Sequence, residues 1–266
     1  MASPTNRVLR LIAATSLALT GTASAVLARD GVASRVPPTR RALHPAPLVN
    51  PRRGDAVSGR HRFLLGRSVD GRPIVAIETG DPSSTRKILV VGCVHGNECA
   101  GTAIAKRLLT LRPPPGVDLW VIPNLNPDGA ARGSRGNAHG VDLNRNFPWH
   151  WQPLHGPYDS GPRPLSEPES QIAYKLIMQL HPALSIWFHQ HLSVIDESGG
   201  TITIERLFAT LVGLRPARLT REPGSITSWQ DHTFAGTAFV VELRAGPLDP
   251  VAAARFARAV LTISRR

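Results

Sequence analysis

The stretch Lys87-Ile88-Leu89-Val90-Val91-Gly92-Cys93-Val94-His95-Gly96-Asn97-Glu98 decides the fold. From Ile88 to Val94 it is apolar almost without a break. A continuous run, rather than an alternating one, marks a strand buried on both faces, as in a parallel sheet. Ala100 to Leu111 follows with small, helix-compatible residues and is stopped by Pro113-Pro114-Pro115-Gly116. A strand therefore ends where a His and a Glu stand three residues apart. Imidazole and carboxylate both suit a borderline ion such as zinc. A short turn carrying two ligands loses little entropy when it grips a metal. Taken alone, the pair is a weak signal.

Working outward, the same alternation recurs. Arg62 to Ser68 and Pro73 to Thr79 flank Asp70-Gly71, a favoured hairpin turn. Val117 to Ile122, Ala183 to Phe188 and Thr237 to Leu243 are further buried strands. Between them lie helical stretches. One opens at Ser166-Glu167-Pro168-Glu169, with Ser166 as the capping residue and Glu169 completing a capping box, and runs to Leu180. Others cover Thr203 to Leu214 and Ile226 to Phe234, and a last one starts at Asp249-Pro250 and runs to Ser264. Asn124 to Gly161 is rich in Gly and Asn and reads as a long loop with little regular structure; such loops are usually functional. The pattern predicts an α/β fold, a mostly parallel sheet with helices on both faces. Ligand sites in such sheets lie beyond the carboxyl ends of the strands, where His95, His189 and Glu242 fall.

The chain has 266 residues and a formal net charge of +12. Lysine occurs only at 87, 106 and 175, so the positive charge is arginine, as a bias toward GC-rich codons would give. A basic surface suits nucleic acid or an anionic wall or membrane. Without basic-aromatic interleaving or a nucleic-acid motif, no nucleic-acid partner is expected. Arg7 and Arg10, the apolar run Leu11 to Leu19, and Thr22-Ala23-Ser24-Ala25 read as a signal peptide cleaved after Ala25. The run is too short for a stable membrane span, and the alternative is an uncleaved anchor. Residues 1–25 are thus a targeting segment, 26–54 a disordered basic Pro- and Arg-rich linker, and 55–266 the folded domain. A secreted or cell-wall location and a monomer are expected. Cys93 and Cys99 flank the His-Glu turn. Two buried thiols are favoured over a disulfide, which an oxidising compartment would permit.

A catalytic zinc needs three protein ligands and an open position. His95 and Glu98 supply two, and His189-Gln190-His191 offers the third. His189 is preferred because it directly follows the buried run Ser185-Ile186-Trp187-Phe188; His191 is the alternative. In Asp142-Leu143-Asn144-Arg145-Asn146-Phe147-Pro148, Asn144 and Arg145 can hold a carboxylate, the guanidinium in bidentate fashion. The alternative is a loop braced by its own Asn and Asp side chains. Arg135 can add a second cation near the metal. Glu242 ends a strongly apolar strand, where a carboxylate is costly unless used or paired. One use is as a general base; pairing with Arg244 is the other reading.

Together these pieces resemble the zinc metallocarboxypeptidase (funnelin) family. The matching motifs are His95-x-x-Glu98, Asn126-Pro127-Asp128-Gly129, Arg135, Val141 to Phe147, Ser166 to Glu169, His189 and Glu242, spread over residues 60 to 265. The resemblance implies a mixed sheet of about eight strands sandwiched by helices. It implies one zinc ion on His95, Glu98 and His189. It also implies Arg135 stabilising the oxyanion, Asn144 and Arg145 holding the substrate's terminal carboxylate, and Glu242 as base and then acid. Digestive-type members carry a tyrosine about twenty residues before the catalytic Glu, and Leu219 to Gly224 lacks one. Pro223 to Trp229 instead looks like the loop of bacterial murein peptide amidases, which cut γ-D-glutamyl–diaminopimelate bonds. The expected activity is therefore a zinc peptidase acting beside a free carboxylate, with a cell-wall peptide as substrate. The alternatives are a same-fold deacylase similar to succinylglutamate desuccinylase and aspartoacylase, and a non-catalytic wall-binding relative. Asn-Pro-Asp-Gly, Asn146 and Glu242-Leu243 favour the peptidase.

Overall fold

In a computed structural model of the chain, the described residues are 59–197, 199–220 and 222–266. The expected signal peptide and linker, and residues 55–58, lie outside them. The hairpin at Asp70-Gly71 forms as expected: β1 (Arg60–Arg67) pairs antiparallel with β2 (Pro73–Gly80). The run that opened the reading is β3 (Lys87–Val91), followed by α1 (Gly101–Leu108) and β4 (Asp118–Ile122). The long loop holds a short helix, α2 (Pro127–Arg132), and two 3-10 turns, at Leu143–Arg145 and Gly156–Tyr158. Then come α3 (Pro168–Leu180), β5 (Leu184–Asp196), α4 (Ile202–Val212), β6 (Arg215–Ala217), α5 (Ile226–Thr233), β7 (Thr237–Arg244) and α6 (Pro250–Ile263).

Seven strands form one mixed sheet in the order β1-β2-β4-β3-β5-β6, with β7 also on β5. The centre is parallel: β3 pairs with β4 and β5, and β5 with β7. Alternate residues of β3 feed two cores. Ile88 and Val90 pack with α1, α4 and α6 through Ile104, Phe208 and Phe256. Leu89 and Val91 pack on the other face with α3 and α5 through Leu176, Ile177 and Trp229. Both faces of the strand are thus dry, which is why its sequence does not alternate. No helix among the described residues is long and apolar enough to cross a membrane.

Four expectations change. Among the described residues the sheet has seven strands where about eight were expected, because β5 does the work of two. Its partners on β7 climb through His189↔Glu242 and His191↔Arg244, then descend through Val194↔Glu242 and Ile195↔Val241. The chain turns back at Ser193, whose φ is 56°. The long loop is more regular than its composition suggests, since Asn126 caps α2 by accepting from the Gly129 N–H at 2.9 Å. Ser166 does not cap α3: Glu167 is the capping position, and the Ser166 hydroxyl bonds the Glu167 carboxylate and the Asn146 amide instead. Glu169 turns to Val69 N–H and Asn137 rather than to a capping box. Finally, Cys93 and Cys99 are joined as a disulfide rather than left as two thiols. It closes a loop around His95 and Glu98.

Candidate active site

The three expected ligands meet. His95 leaves the end of β3, Glu98 sits three residues on, and His189 lies on β5 beside Glu242 of β7. One ligand atom from each of His95, Glu98 and His189 lies within 4.8 Å of the other two. The Nδ1 atoms of His95 and His189 stand 2.9 and 3.5 Å from the same Glu98 oxygen. Two imidazoles and a carboxylate, all buried, form the donor set a zinc ion takes. The residues therefore fit the metal on their own chemistry. His191 is exposed and lies outside that cluster.

A residue the sequence showed only as part of a string organises this cluster. Asp142 is wholly buried. One oxygen is 2.9 Å from His95 Nε2 and also accepts the Asn144 N–H; the other accepts from Arg135 Nε at 2.9 Å. It thus fixes which ring nitrogen of His95 faces Glu98, as outer carboxylates do for metal-bound histidines. Its signal was its burial-prone place two residues before Asn144-Arg145, but its partner is 47 residues away.

Electrostatics follow from burial and partners. Burial pushes the His189 imidazole down to about 4, against the pull of Glu98. Burial also depresses His95, but the Asp142 carboxylate outweighs it and the net shift is upward. Burial raises Glu98, yet its bonds to His189 and His95 hold it well below the carboxylate range; Asp142 is held low in the same way by His95 and then Arg135. Glu242 behaves oppositely. Burial raises it, and the Leu192 N–H that donates to it does so at a long 3.4 Å.

Glu98, Glu242, Arg135, Asn144 and Arg145 share one cavity of about 370 Å³. Arg135 NH1 donates to Glu98 at 2.7 Å, which places this cation against the proposed metal ligands. The Asn144 side-chain oxygen accepts the Ile226 N–H at 3.0 Å and so ties the loop to α5. Arg145 is only 7% exposed. Its NH1 donates to the Asn144 carbonyl, its NH2 lies 4.0 Å from Glu222, and its Nε has no partner among the described residues. The Tyr158 ring lies 5.1 Å from the guanidinium carbon of Arg135 and 5.5 Å from that of Arg145. Tyr158 and Glu222 are lining residues that the sequence reading did not find.

The family profile described as zinc carboxypeptidase matches residues 58–196, more than half of the chain. The chain belongs to the zinc carboxypeptidase family. Among its relatives in that family, murein peptide amidase A of Escherichia coli is 33% identical over 147 residues, which is 50% of this chain and 60% of that protein. The catalytic chain of rat carboxypeptidase N is 31% identical over 168 residues, 48% of this chain and 37% of that one. The aligned part thus spans less than two thirds of these relatives. The crystal structure of murein-tripeptide amidase from Escherichia coli O157 superposes with a TM-score of 0.65 at 27% identity, covering 82% of this chain and 98% of that one. Carboxypeptidase A from Helicoverpa armigera matches with a TM-score of 0.66 at 18% identity, over 78% of this chain and 68% of that one, a likeness of fold. The family profile ends at 196, so Glu242 is placed beside the cluster by the geometry of β5 and β7.

Proposed function

We propose that this member of the zinc carboxypeptidase family is an exported hydrolase that cuts an amide bond next to a free carboxylate in cell-wall peptides. The γ-D-glutamyl–diaminopimelate bond is the intended target. One observation carries the carboxylate requirement: Arg145 is buried at the cavity wall with an unpartnered Nε. A buried guanidinium with so few partners is costly, and a substrate carboxylate meeting its cavity-facing donors would offset that cost. Asn144 sits beside it. The murein amidase relatives supply the choice of peptide. The charged and then apolar start of the chain supports export, and the Cys93–Cys99 bridge fits an oxidising compartment.

His95, Glu98 and His189 would hold one zinc ion. When bound, that ion supplies Lewis acidity, polarising a carbonyl and acidifying water. The remaining work falls to side chains. Glu242, raised by burial, takes a proton from the attacking water and returns it to the leaving amine. Arg135 aims donors at the oxygen that becomes negative, a preorganised contact of the kind worth about 3–4 kcal/mol. Asp142 keeps His95 and Arg135 in register.

The test is a peptide panel with and without chelator. L-Ala-γ-D-Glu-diaminopimelate should be cleaved, its carboxyl-amidated form much less, and N-acyl amino acids hardly at all. Equal cleavage of the amidated form would remove Arg145 as carboxylate receptor. Preferential cleavage of N-acyl amino acids would establish the deacylase instead.

A further inference from the structure

The two arginines of the site share a neighbour that the mechanism has not used. Arg135 and Arg145 approach one aromatic ring, Tyr158, to 5.1 and 5.5 Å. Like charges repel; the Asp142 carboxylate lies within electrostatic reach of both arginines, and the Arg145 Nη2 reaches Glu222 only at 4.0 Å. A π face attracts each cation within about 6 Å of its centroid. The backbone beside the ring is anchored. The Asp159 carbonyl, next in the chain, accepts the Asp142 N–H at 2.7 Å, and the Ser160 carbonyl accepts the Asn146 amide at 2.8 Å. Tyr158 is therefore fastened on its C-terminal side to the segment that carries Arg145. Yet the side chain is 50% exposed and lines the cavity, so it contributes little to either core.

We propose that Tyr158 is a positioning residue. Its aromatic face sets the placement of the oxyanion donor Arg135 relative to the carboxylate receptor Arg145, and so fixes the length of substrate that can span them. This rests on the roles proposed for the two arginines above. The test compares Tyr158→Phe and Tyr158→Trp, which keep a ring, with Tyr158→Leu and Tyr158→Gln, which do not. Two readouts are taken: kcat and KM on the cell-wall peptide with zinc, and the Kd of succinate for the metal-free protein by calorimetry.

The aromatic variants should stay within about threefold of wild type in both. Leu and Gln should each weaken succinate and raise KM by about tenfold, with a further fall in kcat through Arg135. A merely packing side chain would treat Leu and Phe alike. Leu within twofold of wild type, or Phe as impaired as Leu, overturns the proposal. Because the residue is half exposed, all four variants should melt cooperatively; should Leu not, Gln carries the comparison. If the wild type cuts no peptide while succinate binding still follows the aromatic series, the functional reading falls and the role of the ring stands.

Discussion

With Glu242 proposed as the base, it is the residue on which turnover should depend most directly. Glu242→Gln should keep stoichiometric zinc by elemental analysis and lose about 10²–10⁴-fold in kcat. Its titration gives a second expectation. Burial raises the folded pKa above the unfolded value, so the charged form is the costly one in the native state. That cost is present at neutral pH and vanishes as pH falls below the ordinary Glu value. In metal-free protein, Glu242→Gln should therefore raise Tm at pH 8, with the gain shrinking toward pH 4. A gain that grew on acidification would contradict the assignment. The histidines split in the same spirit. His189 stays neutral down to about 4, whereas Asp142 holds His95 above its usual value. Zinc binding near pH 6.5 should displace a proton from His95 rather than from His189, read as the buffer dependence of the binding enthalpy. Asp142→Asn should remove that proton and weaken zinc by about 10–100-fold in a chelator competition. His189 was legible because a buried run leads straight into it. Asp142 was not, because its importance lies in contacts to His95 and Arg135 that no local pattern announces.

Elements explain why the ligand turn has the sequence it does. A Cβ on Gly96 would land on the backbone of Gly129 and Ala130, where α2 crosses the turn. The Gly96 N–H donates to the Arg135 carbonyl, so turn, helix and the Arg135 cation are fastened together. Gly96→Ala should cost about 1–3 kcal/mol in denaturant unfolding and lower zinc affinity as well, since relief comes only by moving the turn. Gly224 stands similarly at φ +68°, pressed on the Arg145 carbonyl. The helices and the parallel centre of the sheet could be read from their runs and stops. The return of β5 could not: Gln190 to Ile195 contains no Gly or Pro to mark a reversal. Asn126-Pro127 was a readable helix start, hidden by the Gly and Asn around it.

At the scale of the molecule, the two cores lie on opposite faces of the sheet and the site lies beyond the carboxyl ends of its central strands. Stripping zinc should leave far-UV circular dichroism unchanged. Restoring it at 100 times its Kd should stabilise the fold by about 2.7 kcal/mol, seen as a higher Tm that a chelator reverses. Loss of secondary structure on chelation would show instead that the metal organises the domain. The ladder that carries His189 and Glu242 has a wider meaning. They are directly opposed on neighbouring strands, and Val194 opposes Glu242 from the returning arm. Their separation is a constant of sheet geometry, about 4.8 Å between strands, rather than a property of any loop. The recognition loop that bears Glu222 and Ser225 can be lengthened, recoloured or exchanged without moving that pair, whereas the loop that bears Tyr158 must keep its ring. For an engineer this is a chassis with a fixed reaction centre and replaceable tooling: new specificities should be sought by swapping segment 219–225, leaving Tyr158 and the strands alone.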